Sequence, residues 1–232
     1  MIDENASVLL DSSSLQALKK MPVDIFDGVY VGEVKDEALV LCIDIRNFSN
    51  FLCGNDEDTV FKLLKEFSSN FLSCVNQIGY HCSYYKLLGD GALVIWDTAT
   101  ADHVNEALLV FSEFLDFLNE ELFLGTSGLG LAGALVMEKI FKYEISAEAS
   151  GLKYRDYVGY AINLACRLQT LATKDQLMLN KKLTATGILP FIENLIPELH
   201  HHLERLKGLQ EDDRVKVYMY KRDENMAAIS HK

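Results

Sequence analysis

The chain has 232 residues, 49% hydrophobic and 24% charged, enough to bury one substantial core with a short appendage. Its formal net charge of −12 supplies no basic footprint, so neither a nucleic-acid duplex nor an anionic membrane surface is expected as a partner. Glu113, Asp116, Glu120 and Glu121 interrupt the richest apolar stretch, residues 107–124, and the first residues are acidic where a signal peptide would be basic, so a cytoplasmic protein is expected. In chain order, residues 1–36 lie outside the main pattern, with a weak helix at 14–20 and a strand at 29–34. The run ALVLCIDI then predicts a buried strand that ends in a single carboxylate, Asp44. Asn55 or Asp56 caps a helix over 58–76, where Val60, Leu63, Leu64, Phe67, Phe71 and Cys74 recur at helical spacing. A strand at 80–87, the turn Gly89-Asp90-Gly91 and a strand at 92–96 read as a β-hairpin.

A second amphipathic helix is predicted over 103–122, with Ala107, Val110, Phe111, Phe114, Leu118 and Leu122 on one face. Residues 129–136 read as a glycine-spaced central strand, 159–172 as a helix, 176–179 as a strand and 215–220 as a last strand. This order predicts an α/β (α+β) fold, a ferredoxin-like sandwich with helices packed on one side of a mainly antiparallel sheet. The five cysteines, Cys42, Cys53, Cys74, Cys82 and Cys166, are odd in number and form no CxxC pair, so they read as reduced, mostly buried small hydrophobes. The run His200, His201, His202 has no second ligand cluster beside it and reads as a solvated helix end or loop.

Six polar residues stand apart: Asp44, Lys86, Asp90, Asp156, Asn163 and Arg167. They occupy the segments LCIDIRNFSNF, YYKLLGDGALVIW and RDYVGYAINLACRLQ, each where a strand meets a turn or a helix begins. Taken singly, Asp44 caps a turn, Asp90 is ordinary hairpin chemistry and Arg167 is a solvated helix residue. Their common setting at strand ends, with Asp156, Asn163 and Arg167 spaced seven and then four apart, points to one site. Asn163 and Arg167 lie one helical turn apart and share a face.

This pattern, over about residues 38–220, resembles the catalytic domain of class III nucleotide cyclases. The resemblance implies a domain at 37–222 between an N-terminal extension, 1–36, and a tail, 223–232. It implies an enzyme that makes a 3′,5′-cyclic nucleotide and pyrophosphate from a nucleoside triphosphate. Asp44, Ile45 and Asp90 would hold two Mg2+ or Mn2+ ions, suited to two carboxylates plus phosphate and water oxygens. Asn163 would act on the ribose and Arg167 on the charge developing at the α-phosphate, both as catalytic residues. Asn47, Phe48 and Ser49 form a turn whose backbone N–H groups would receive phosphate oxygens, and Lys207 resembles a lysine that approaches the triphosphate. The family's sites form at a head-to-tail dimer interface, so a homodimer with two equivalent sites is expected.

Lys86 and Asp156 match the residues that read the base. Lys86 is a donor only and Asp156 an acceptor only, complementary to adenine's ring nitrogen and amine and opposed to the pattern of guanine and uracil. Cytosine presents the same order as adenine, which leaves CTP open beside ATP, the favoured substrate. The first motif departs from the family's Asp-Ile-x-Gly-Phe-Thr, with Asn47 for Gly and Ser49 for Thr, though asparagine tolerates left-handed backbone. Residues 137–155 are remodelled beside the base pocket. Two rival readings are a pyrimidine cyclase of bacterial antiphage signalling, making cyclic CMP or cyclic UMP, and an inactive cyclase-like binding module. The module is disfavoured because all six positions are intact.

Overall fold

The run ALVLCIDI forms part of strand β1 (Gly28–Arg46) in a computed structural model that describes residues 28–126, 128–147, 152–190, 195–198 and 215–220. The strand expected at 29–34 belongs to this same β1. The chain divides into two compact units, a smaller one of Met1–Glu33 and Phe141–Tyr157 and a larger one of Val34–Ile140 and Val158–Lys232.

In the larger unit, β2 (Tyr84–Leu87) and β3 (Gly91–Trp96) form the predicted antiparallel hairpin, and β3 pairs antiparallel with β1 from Leu39↔Trp96 to Asp44↔Gly91. With β4 (Gly130–Ala147), β6 (Gln176–Asn180), β7 (Leu195–Glu198) and β8 (Val215–Tyr220), the strand order is β2-β3-β1-β4-β6-β8-β7. The pair β4–β6 is parallel, whereas β6–β8 and β7–β8 are antiparallel. The predicted class therefore holds: a mainly antiparallel sheet with helices packed on it.

Helix α1 (Phe48–Gly54) follows β1 directly, and α2 (Glu57–Gln77) starts at Asp56, whose carboxylate accepts from Thr59 N at 2.9 Å. Of the two caps expected, Asp56 is the one used. Helix α3 (Ala101–Phe117) is capped by Thr100 and continues into one π-helical turn, Leu118–Leu122. Leu63, Phe67 and Phe71 of α2 meet Phe111 and Phe114 of α3 over Leu39, Leu41 and Ile43 of β1. Phe114 sits edge-on to Phe67 and Phe71, with ring centroids 5.2 and 5.3 Å apart, a favourable aromatic geometry.

Side chains alternate along a strand, so Cys42 points away from this layer. There it meets Cys166 of α4 (Tyr160–Leu171), so helices cover both faces of β1 rather than the one side expected. A short helix α5 (Lys181–Ala185) follows β6, capped by Asn180, and in the smaller unit β5 (Leu152–Val158) pairs with β4.

Three expectations are revised. The strand predicted at 80–87 begins only at Tyr84, because residues 79–82 turn, with Cys82 N donating to Gly79 O at 2.8 Å. The strand predicted at 129–136 runs on to Ala147. Helices α1 and α5 and strand β7 were not anticipated, each being too short for periodicity to register. The helix expected at 14–20 and the run His200–His202 lie outside the described residues.

Candidate active site

The antiparallel register opposes Asp44 to Gly91, and Ile45 N donates to Asp90 O at 3.0 Å, so the backbone fixes the two aspartates side by side. Close packing of β1 against the turn needs a glycine at 91: a Cβ there would stand 2.6 Å from Ile43 O and 3.2 Å from Asp44 Oδ1. Gly89 has φ 81, which glycine adopts without strain. Ile45 itself is buried, leaving its backbone as the polar part.

Asp44 is half-buried, and its carboxyl is raised above the ordinary aspartate range, first by burial and then by the negative charge of Asp90. The Gln169 amide and the Arg46 guanidinium oppose that rise. Arg46 Nη1 lies 3.3 Å from Asp44 Oδ2, and its Nη2 donates to the backbone carbonyl of Gln169 on α4. Among the described residues, Arg46 Nε and Gln169 Nε2 are buried with no partner in strict hydrogen-bond geometry, so the Gln169 amide faces Asp44 without a well-formed bond. Neither residue was singled out in the sequence; the only signal for Arg46 was its place two positions beyond Asp44. Beside this bridge, Cys42 and Cys166 bring their Sγ atoms to 3.6 Å. Cys166 is lowered to about 7 by the hydrogen bond from Cys42, while Cys42 is pushed well up by that bond and by burial. All five cysteines are free, as expected, but they are not mostly buried: Cys42 is buried, Cys74, Cys82 and Cys166 are half-buried and Cys53 is exposed.

The turn after β1 is built on Asn47. Asn47 adopts φ 64, the left-handed conformation expected of an asparagine standing for glycine, and its Oδ1 accepts from Asn50 Nδ2. Phe48 is buried and stacks on Phe51 at 6.2 Å, while Ser49 is exposed. Asn47, Asn50, Asn55 and Thr126 help line a cavity of about 350 Å3 beside this turn.

Asn163 and Arg167 lie exposed one turn apart on α4. Gly159, with φ 155, starts that helix where a Cβ would stand 2.9 Å from Ile140 Cα, so its side-chain-free backbone sets where α4 begins. Lys86 is exposed on the edge strand β2, opposite Leu93. Asp156 belongs to the smaller unit. Its Oδ2 accepts from Tyr154 OH at 2.6 Å and its Oδ1 from Tyr157 N at 2.8 Å. Tyr154 is a further residue that sequence reasoning passed over. Lys207 lies outside the described residues.

The structure thus brings Asp44 and Asp90 together, carries Asn163 and Arg167 on the helix bridged to Asp44's strand, and leaves Lys86 at the sheet edge. Among the described residues no cluster of three or more His, Cys, Asp or Glu side chains could enclose a metal. Two carboxylates completed by phosphate and water oxygens fit magnesium, which takes few protein ligands.

The sequence matches no family model and no curated protein. Solved structures do match. The guanylyl cyclase Cya2 superposes with a TM-score of 0.64 at 19% identity, over 84% of this chain and 97% of its own. It is the nucleotide cyclase catalytic fold. The adenylyl cyclase CyaB from P. aeruginosa shares it with a TM-score of 0.65 at 13% identity, over 82% of this chain and 97% of that one. So does the guanylate cyclase domain of RhGC from Catenaria anguillulae in complex with GTP, with a TM-score of 0.63 at 12% identity, over 82% and 98%. Among the described residues no helix is long and apolar enough to cross a membrane.

Proposed function

We propose that this chain is a nucleotide cyclase that converts a nucleoside triphosphate, ATP by preference, to a 3′,5′-cyclic nucleotide and pyrophosphate at a homodimer interface. One observation carries the reading: Asp44 and Asp90, 46 positions apart in sequence, stand together at the end of two paired strands, close enough for one charge to raise the other's carboxyl. Like charges held in that way call for a cation between them. The likeness of the fold to that of adenylyl and guanylyl cyclases supports reading this pair as part of a nucleotide site.

In the reaction, the ribose 3′ oxygen attacks the α-phosphorus and pyrophosphate leaves. Asp44 and Asp90, with the backbone at Ile45, would hold two Mg2+ or Mn2+ ions. Bound there, the ions lower the pKa of the attacking hydroxyl and neutralise the leaving phosphates. Arg167 stabilises charge growing on the α-phosphate, and Asn163 orients the ribose. Asn47, Phe48 and Ser49 offer backbone N–H groups to phosphate oxygens, and Lys207 supplies a further cation. Asn163, Arg167 and Lys86 are all exposed on a single chain, which suits a nucleotide held jointly with a second copy.

Base choice rests on Lys86 as donor and Asp156 as acceptor. Tyr154 OH and Tyr157 N each donate to one oxygen of Asp156, which orients the carboxylate that would accept from a base amine. Adenine and cytosine both carry such an amine, and guanine and uracil do not offer it there. The test is to incubate the purified chain with each of the four triphosphates and Mg2+ or Mn2+ and to separate products by mass. Cyclic AMP supports the reading, cyclic CMP or cyclic UMP moves the chain to the pyrimidine cyclases, and no cyclic product from any triphosphate marks an inactive binding module.

A further inference from the structure

We propose that Cys42 and Cys166 form a peroxide-oxidised disulfide that ties β1 to α4. Their Sγ atoms lie 3.6 Å apart although the residues are separated by 124 positions, and both thiols are free. A disulfide needs the sulfurs at about 2.05 Å, so roughly 1.6 Å of approach remains, a distance that side-chain rotation with a small shift of α4 supplies. Two cysteines packed as inert core hydrophobes would gain nothing from meeting sulfur to sulfur.

The two sulfurs differ in access. Cys42 is 4% exposed in the middle of a central strand, whereas Cys166 is partly exposed on its helix. Peroxide therefore reaches Cys166 first. The Cys166 thiolate attacks one oxygen of hydrogen peroxide and hydroxide leaves, giving a sulfenic acid. Cys42 sulfur then attacks the Cys166 sulfur, forming the S–S bond. The sulfenic hydroxyl departs with the Cys42 proton as one water, and the earlier hydroxide takes up the proton that the Cys166 thiol released, giving the second. In sum two thiols and one peroxide become one disulfide and two waters.

The consequence rests on the cyclase reading. Cys42 precedes Asp44 by two positions on β1, and Cys166 adjoins Arg167 on α4, the same two elements that Arg46 joins through the Gln169 carbonyl. Drawing the sulfurs together shifts a metal-holding strand against a catalytic helix, and displacements of about 1 Å cost such sites on the order of 100-fold in rate. Turnover should fall at least tenfold on oxidation and return with reductant.

The experiment uses the full chain with Cys53→Ser, which removes the exposed thiol able to link two molecules. Reduced protein is treated with hydrogen peroxide, its remaining thiols are alkylated under denaturing conditions, and the digest is read by mass. The proposal expects a reductant-sensitive peptide pair joining Cys42 to Cys166, absent when Cys166→Ser is added. Cys166 found as sulfinic acid with Cys42 still alkylated, or both thiols alkylated after peroxide, would overturn the pair. A cross-link with unchanged turnover would overturn its control of the site. Reduced protein that cyclises no triphosphate would refute the cyclase reading instead, since the cross-link is read without substrate.

Discussion

Gly91→Ala tests whether the contact between β1 and the Asp90 turn sets the site. The added Cβ would stand 2.6 Å from Ile43 O, a backbone atom of a buried residue that has no rotamer to yield, and 3.2 Å from Asp44 Oδ1. The strands must part, lengthening the 3.0 Å bond from Ile45 N to Asp90 O and pushing the Asp44 carboxylate out of line. Overpacking of this kind costs about 1–3 kcal/mol. At about 2–4 °C per kcal/mol for a chain of this size, the melting temperature should drop by roughly 2–12 °C. Cyclase turnover should fall further, about 100-fold, because a small misplacement of a reacting group is costly. Gly89→Asn is the control: its φ of 81 suits asparagine, and nothing lies within 4 Å of a Cβ there, so stability should change by about 1 kcal/mol or less and turnover by a few-fold at most. Thermal unfolding by circular dichroism and a coupled pyrophosphate assay read both variants. Gly91→Ala with wild-type melting and turnover, or Gly89→Asn with the larger loss, would refute the packing argument.

Asp44→Asn should abolish turnover yet raise the melting temperature of the metal-free protein at pH 7. The raised Asp44 carboxyl means that the folded chain keeps a proton the unfolded chain releases, so wild-type stability falls as pH rises from the unfolded value, about 3.9, through the folded one, and a pH series of melts should show the variant's advantage vanish below about pH 4. Arg167→Ala should lower turnover by about 100- to 1000-fold while the affinity for a non-cyclisable triphosphate analogue, measured by calorimetry, changes little. Mixing Asp44→Ala with Arg167→Ala under subunit exchange should restore roughly a quarter of wild-type activity, since half the dimers are mixed and each carries one intact site of two. Buried Asn180 accepts from Met137 N at 3.0 Å and donates to Met137 O at 3.1 Å, so Asn180→Leu should cost about 1–3 kcal/mol for each backbone group left unpaired, seen as reduced denaturant resistance without a selective loss of turnover.

What the sequence made legible was local. Asp56 as a helix cap, Asn47 in left-handed backbone and Gly89-Asp90-Gly91 as a hairpin turn each depend on a few neighbouring residues, and each is found as read. The pairing of Asp44 with Asp90 followed from motif resemblance and was met by strand register. The bridge from Arg46 to Gln169 and the meeting of Cys42 with Cys166 were not legible, because periodicity tells which residues share a face but not which helix covers that face. The same gap hid residues 80–83, whose composition suits a strand but which turn instead, and β7, whose four residues are too few to carry a pattern.

Arg46 only partly offsets the charge of the aspartate pair. Its guanidinium lies 3.3 Å from the Asp44 carboxylate, yet it is divided between that group and the Gln169 carbonyl, and among the described residues its buried Nε has no hydrogen-bond partner. Asp90 and a chain charge of −12 add to the negative field, so Arg46 leaves the pair of aspartates under-compensated. A free triphosphate meets the same field and is repelled. Neutralising the aspartates relieves both repulsions at once, so divalent cation and nucleotide should bind with positive coupling. Linkage makes that coupling equal in either order, whichever ligand is titrated first. Calorimetric titration of a non-cyclisable triphosphate with and without Mn2+, and of Mn2+ with and without the analogue, should return the same factor, and in Asp44→Asn that factor should shrink towards one. Coupling undiminished by that substitution would mean that the cation is held elsewhere.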